Sequence, residues 1–432
     1  WSPDHPHLYD LSIRLMKNGE VTDEVDSYFG MRKISIVKDK QGYNRLALNN
    51  EILFQNGPLD QGFWPDGLNT PPSDEAMKYD IEATRAMGFN MLRKHVKVEN
   101  RRFYHWCDKI GILVWQDMPS AAGFIAPDDE DLQPSEEHKS QFEQELKQLV
   151  LTHYNHPSIV MWVPFNEGWG QYDTERIVNM VRALDSSRLV NNASGWSDRG
   201  VGDVIDIHHY PDPRCPDPEE DRASVLGEFG GLGLYVEGHT WQQENWGYEK
   251  LQAVDELLEK YEDYYTTVRN MEEDCGLAAV VYTQTTDVES ETNGLMTYDR
   301  DRIKMGAENI LKAHQGIIPP RIGSPLRKFI ETVEVELIAP DPDAAVQYCL
   351  YVPGQEDKWN AYEGVVEMSA PFTMKTKSLW PDGRQSRENT YSFHKATPFP
   401  AVNIKMLPGL HVDYYTGNWD SLPEFTDLTY DK

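Results

Sequence analysis

Residues 8–36 alternate apolar and polar positions in short runs, the first two joined at Asn18-Gly19. Period-two alternation is a strand signal, and Asn-Gly supplies the positive φ of a tight hairpin. The segment predicts a hairpin and a third strand, the tail of a β-sandwich too short to stand alone. From about residue 49 the rhythm changes to apolar run, loop, helix, repeated. The predicted strands are 51–55, 89–95, 112–117, 159–166, 188–193, 204–210, 223–228 and 278–284.

Two of the intervening segments read clearly as helices. "SDEAMKYDIEATRAMG" (73–88) opens on a Ser cap, and "DTERIVNMVRALD" (173–185) spaces its apolar residues at helical period. Strand–helix alternation implies an α/β protein with a parallel sheet, and eight units match a (β/α)8 TIM barrel. The steps after strands five and six are short and helix-poor. A doubly wound open sheet is the rival, but no glycine-rich dinucleotide loop follows the first strand.

After residue 316 "PPRIGSP" marks a linker, and alternating segments such as "VEVELIAP" and "AVQYCLYV" predict a second β-sandwich. The expected division is 1–38, the end of a β-sandwich; 39–317, the barrel; 318–400, a β-sandwich accessory domain; and 401–432, the start of a further module. Residue 1 is Trp, with no signal-like segment after it, so the chain reads as a piece of a longer protein.

Charge narrows the partners. Lys and Arg number 41 against 71 Asp and Glu, a net charge of −30. Such acidity repels nucleic-acid backbones and anionic membranes. No window approaches the ~18 apolar residues of a membrane span, so neither nucleic-acid binding nor membrane insertion is expected. Cys107, Cys215, Cys275 and Cys349 show no CxxC pair or metal-ligand spacing and are expected as free or buried thiols. No metal and no cofactor is predicted.

In a barrel, working residues sit at the C-terminal strand ends. Here those ends carry Arg93, His95, Asp117, Asn166, Glu167, His208, Tyr210, Glu228 and Tyr282, with Trp169 just beyond. Glu167 and Glu228 each leave an apolar strand and meet glycine within two residues, in "NEGWG" and "GEFGG". On strands four and seven they face each other across the mouth. Two carboxylates about 5 Å apart are what a retaining glycosidase needs. Trp115 and Trp162 are expected in the barrel wall.

"HPSIVMWVPFNEGWG" (156–170) resembles the acid/base region of glycoside hydrolase family 2, the family of β-galactosidases, β-glucuronidases and β-mannosidases. Residues 1–34 look like the end of that family's immunoglobulin-like domain. "GFNMLRKH" and "WCDKIGILVWQDMP" resemble its second and third barrel strands. The resemblance implies Glu167 as general acid/base, Glu228 as nucleophile and Asn166 on the sugar 2-hydroxyl. It also implies Tyr210 donating to the nucleophile and Arg93 beneath it, its charge keeping Glu228 ionised. His208, His95, Asp117, Trp169 and Tyr282 complete the expected substrate-binding set, Tyr282 standing where the family commonly has a Trp. Glu167 needs a raised pKa, for which burial beside Trp169 is the expected source.

The chain departs from the family's pattern in ways that bear on substrate. His95 sits one residue early, and no magnesium cluster follows "DMPSA". "ESETNGLMTYDR" carries glutamates and no lysine where β-glucuronidases place a clamp for the sugar carboxylate. The resemblance then implies a retaining exo-β-glycosidase on terminal neutral β-hexosides, most plausibly β-galactosides, within an oligosaccharide or polysaccharide. The alternatives are a catalytically silent carbohydrate-binding protein, β-glucuronidase or β-mannosidase specificity, and transglycosylation. Residues 325–400 resemble the accessory domain of chitobiase-like hydrolases, and "PGLHVDYYTGNWDSLPEF" looks like the opening of a PA14-type carbohydrate-binding module. Such appendages point to a secreted or periplasmic protein.

Overall fold

The computed structural model describes residues 1–120, 123–323 and 327–398. The segment read as a PA14-like opening lies outside them. Tyr9–Lys17 and Glu20–Phe29 form the expected antiparallel hairpin about Asn18-Gly19, with Ile13, Leu15, Val21 and Val25 exposed. Ile34–Lys38, Asn44–Leu48 and Glu51–Ile52 make a three-stranded antiparallel sheet. Its Ile34, Leu46 and Leu48, with Trp1, join one apolar cluster with the barrel-strand residues Leu59, Met91, Trp115 and Val225.

Eight strands form one parallel sheet. They are Gln55–Asp60, Met91–Lys94, Leu113–Asp117, Ile159–Val163, Leu189–Val190, Val204–His209, Ala223–Gly230 and Ala279–Thr283, numbered one to eight below. The ladder runs five-four-three-two-one-eight-seven-six. The first strand corrects the expectation: 51–55 ends in the antiparallel sheet, and "QNGPLD" enters the barrel. Gly57 is required there, because a Cβ would lie 2.2 Å from the Met91 carbonyl oxygen. A Gly-Pro core strand with polar ends is hidden from a hydrophobicity pattern.

Strands five and six share no continuous ladder. Their seam is closed by Asp203 N–H donating to the Val190 carbonyl at 2.8 Å. Asp203 Oδ2 in turn accepts from Val190 N–H at 2.7 Å, and Asn191 Nδ2 donates to Asp206 Oδ2 at 2.6 Å. Among the described residues six α-helices accompany the barrel: α1 (Asp74–Ala86), α2 (Arg101–Ile110), α3 (Glu136–His153), α4 (Thr174–Leu184), α5 (Val254–Asp274) and α6 (Ala307–His314). None follows strand five or six, so the barrel has eight strands and fewer than eight helices. The predicted caps are present at α1, where Ser73 accepts from Ala76 N–H. Trp115 and Trp162 are buried, and each indole N–H is satisfied, by Gln55 and Asp185.

Cys215 and Cys275 form a disulfide across 60 residues of sequence. This corrects the reading of all four cysteines as free thiols. Cys107 and Cys349 remain free and buried. Beyond the barrel lies a five-stranded sheet ordered 328–329, 389–395, 372–379, 345–351 and 360–361. Arg387 ties it to α5 with a two-pronged ion pair to Glu262, both contacts at 2.9 Å. Among the described residues no helix is long and apolar enough to cross a membrane.

Candidate active site

Strand four ends at Val163, and Asn166, Glu167 and Gly168 turn the chain off it. Glu167 has φ 52° and Gly168 φ 81°. A left-handed Glu is an uncommon backbone state, of the kind held at working sites by surrounding contacts. Here Glu167 N–H donates to Ser194 O at 2.8 Å, and Ser194 N–H donates to Phe165 O at 3.0 Å. The turn aims Glu167 into a cleft of about 770 Å³ at the barrel mouth. His95, Asn166, Trp169, Tyr210, Glu228, Trp246, Tyr248, Thr283 and Glu291 also line it.

Glu228 lies on strand seven, and one oxygen each of Glu167 and Glu228 lies within 4.8 Å of the other and of a His208 ring nitrogen. Arg93, fully buried, fans out beneath. It donates to Glu228 Oε1 at 3.1 Å, to Asn166 Oδ1 at 2.7 Å and to Asp117 Oδ2 at 2.8 Å. Burial alone would lower the pKa of the guanidinium, but Asp117 and Glu228 raise it and keep it charged. Tyr210 donates to Glu228 Oε2 at 2.6 Å and contacts Thr283 Oγ1 at 2.7 Å.

Burial pushes the Glu228 carboxyl above its ordinary range, against the pull of the Arg93 cation and the Tyr210 hydroxyl. Arg93 favours the carboxylate form, in the expected direction, while desolvation sets the net upward shift. Burial likewise raises Glu167, opposed by Arg93. Trp169 is 44% exposed and packs on Phe124. Packed against Glu167 are His208, with Nδ1 at 2.8 Å, and the backbone at Gly195, where a Cβ would sit 3.2 Å from Glu167 Cγ. Burial drops His208 to about 4 and His95 well below its usual value, both helped by Arg93. Both imidazoles are neutral.

Glu167, His208 and Glu228 are the cluster of ligand-type side chains found among the described residues. The Arg93 cation against Glu228 and the hydrogen bond between His208 and Glu167 suit it to handling protons more than to binding a metal ion.

The structure brings together Arg93, His95, Asn166, Glu167, Trp169, His208, Tyr210 and Glu228. Asp117 is buried under Arg93, to which it is ion-paired, and also accepts from the N–H of Val96 on the cleft wall at 3.2 Å. Tyr282 is a correction: it is 1% exposed and packs on Phe229 and Tyr261, between strand eight and α5. Side chains alternate along a strand, so Thr283 faces the cleft and Tyr282 faces the helix. Sequence reasoning missed Tyr248, Trp246, Lys97, Ser194 and Asp206. The aromatic run in "TWQQENWGY", soon after Glu228, was the signal for the first two.

Residues 72–245 match the model of the TIM barrel domain of glycosyl hydrolases family 2, and residues 1–32 match a second model of that family. A beta-galactosidase of Thermoanaerobacter pseudethanolicus is 30% identical over 193 residues, 44% of this chain and 24% of that protein. A putative beta-glucuronidase of Formosa agariphila is 27% identical over 175 residues, 40% of this chain and 20% of the relative. The matched segment thus spans about a quarter or less of each. Among solved structures, an FMN-binding beta-glucuronidase from Faecalibacterium prausnitzii superposes with a TM-score of 0.62 at 19% identity, covering 93% of this chain and 64% of that one. A putative beta-galactosidase from Bacteroides fragilis gives 0.61 at 17% identity, covering 91% and 62%.

Proposed function

The chain belongs to glycoside hydrolase family 2, and on that premise we propose that the cleft is the site of a retaining β-glycosidase. The observation that carries this reading is the carboxylate pair, with an oxygen of Glu167 and one of Glu228 within 4.8 Å. Retention uses carboxyls about 5 Å apart, whereas inversion needs roughly 6.5–9.5 Å to admit water. Glu228 attacks the anomeric carbon as the glycosidic bond breaks, while Glu167 gives its proton to the departing oxygen. Glu167 then takes a proton from water, which displaces Glu228. Tyr210 and Arg93 hold the nucleophile, and Asn166, anchored by Arg93, presents its amide to the sugar.

The substrate reading is a terminal neutral β-hexoside, a β-galactoside, in a glycan. Support comes from Glu291 on the cleft wall, which opposes a sugar carboxylate, and from Lys97, whose charge is engaged by Glu99 at 2.7 Å. A β-glucuronoside is the second reading, because Lys97 also lines the cleft and β-glucuronidases stand among the relatives. The disulfide supports an oxidising compartment, secreted or periplasmic.

The test is a panel of aryl β-glycosides together with an activated 2-fluoro-β-glycoside. Turnover of a neutral hexoside and covalent labelling of the Glu228 peptide are expected. Full activity in Glu228→Gln, or no turnover of any β-glycoside, would overturn the assignment.

A further inference from the structure

Below the carboxylate pair, the seam between strands five and six holds polar groups that the reaction as drawn does not use. Residues 206, 208 and 210 alternate along and just beyond strand six and point to the barrel interior. His208 Nδ1 lies 2.8 Å from Glu167 Oε1. Its Nε2 lies 2.7 Å from Ser194 Oγ, and Ser194 Oγ lies 2.6 Å from Asp206 Oδ2. All three are buried. Two glycines make the approach possible. At Gly227 a Cβ would sit 2.2 Å from Asp206 Oδ1, and at Gly195 one would sit 3.0 Å from His208 Nδ1.

We propose that Asp206, Ser194 and His208 form a hydrogen-bonded relay that sets the proton on Glu167, with Asp206 as its buried terminus. The proposal rests on Glu167 being the acid/base. Asp206, Ser194 and His208 are positioning residues, since they act through Glu167.

Donor and acceptor counting leaves this chain two consistent arrangements. In one, protonated Asp206 donates to Ser194, Ser194 donates to His208 Nε2, and His208 Nδ1–H donates to ionised Glu167. In the other, protonated Glu167 donates to Nδ1, Nε2–H donates to Ser194, and Ser194 donates to ionised Asp206. Interconversion shifts three protons one bond each. Its net result is one proton moved between the two carboxyls, with the imidazole neutral at both ends and the total charge unchanged. With both carboxyls ionised, Ser194 and His208 supply too few protons for the chain, and an oxygen faces an acceptor. An ionised Asp206 therefore favours protonated Glu167, the form that donates to the leaving oxygen.

The surroundings agree. Asp206 also accepts from Asn191 Nδ2 at 2.6 Å and Gly227 N–H at 2.7 Å, with Arg93 the nearby charge. Burial lifts Asp206 to about 7, so it exchanges a proton in the working range of such an enzyme. His208 faces Arg93 at 3.4 Å and Glu228 at 3.5 Å, and burial keeps it neutral.

The test compares wild type with Asp206→Asn and Ser194→Ala. An Asn at 206 donates to Ser194 but carries no exchangeable acid proton, and it fixes the chain in the arrangement that keeps Glu167 ionised. The alkaline limb of kcat/KM is expected to move down by about one pH unit in Asp206→Asn. Ser194→Ala should move it the same way. Hydrolysis of a glycoside with a poor leaving group should fall about tenfold, while one with an activated aryl group, which needs little acid assistance, changes less than about twofold. In ¹⁵N-histidine-labelled protein, the neutral His208 ring should swap tautomer as the carboxyls titrate in wild type and stay in one tautomer in both variants.

An unmoved alkaline limb in an active enzyme, equal losses on both substrates, or a His208 tautomer that still responds in the variants would overturn the relay. If Asp206→Asn does not fold, Ser194→Ala decides alone. A protein inactive on every glycoside whose His208 tautomer depends on Asp206 would overturn the glycosidase reading and leave the relay standing.

Discussion

The rings of Tyr210 and Tyr248 lie face to face, their centroids 3.7 Å and their planes 5° apart. Tyr210 holds Glu228, and Tyr248 lies on the excursion that follows strand seven. The stack therefore ties a surface segment to the orientation of the nucleophile. An aromatic pair of this kind contributes about 0.5–1.5 kcal/mol beyond buried area. Tyr248→Phe keeps the ring and is expected to leave kcat/KM nearly unchanged. Tyr248→Ala should lower it by roughly threefold to tenfold, measured on an aryl β-glycoside.

The pH profile follows from the two carboxyls. Activity needs Glu228 ionised and Glu167 protonated, and burial raises both. Both limbs of kcat/KM are therefore expected above the ordinary carboxylate range, as macroscopic values of a coupled pair. Tyr210→Phe removes a donor that favours the Glu228 carboxylate. The acid limb should then rise, because ionisation has become harder, and kcat should fall about tenfold or more for the lost charge-assisted hydrogen bond.

Tyr282 and Tyr248 should separate cleanly. Tyr282 is enclosed by Phe229, Tyr261 and strand eight, so Tyr282→Ala is expected to cost about 3–5 kcal/mol in urea unfolding. Tyr282→Phe should leave KM within about twofold of wild type, as expected for a residue without uniform substrate binding to lose. A large KM increase in Tyr282→Phe would mean that the ring reaches the sugar.

The Cys215–Cys275 bond closes a loop of 60 residues, joining the segment after strand six to the end of α5. In the chain-entropy model such a closure contributes about 4 kcal/mol. Cys275→Ser, and reduction of the wild type, are both expected to lower the melting temperature. Non-reducing peptide mapping should recover the linked pair.

Arg387 and Glu262 link the C-terminal sheet to α5 by a largely buried pair. Arg387→Ala strands the carboxylate and should cost about 3 kcal/mol or more, whereas Arg387→Met with Glu262→Leu should cost much less. Calorimetry of the three proteins checks it.

Strand positions two to eight were legible from apolar residues bounded by turn residues, although strand five pairs over Leu189–Val190 alone. The first was not, since Gly57 and Pro58 serve close packing and leave no hydrophobic signature. Glu167, Glu228, Tyr210 and Arg93 were legible because they stand at strand ends within recognisable motifs. Asp206 and Ser194 were not. Their roles come from a seam between strands, and nothing in "VIDIHHY" announces that Asp206 meets Ser194 twelve residues earlier. The disulfide escaped for the same reason: a fold, not a spacing, brings its sulfurs together. Tyr282 failed by one step of strand parity.

The incomplete ladder between strands five and six has a further consequence. Where continuous main-chain pairing is absent, the wall of the barrel is stitched by the side chains of Asn191, Asp203 and Asp206. Residues 191–203 carry no helix that a substitution would unseat. A library at Asn191, Ser194 and Asp206 would probe the relay proposed for Glu167 while leaving the Tyr210 hydrogen bond to Glu228 in place. The gap in the ladder is in this sense the adjustable part of the scaffold.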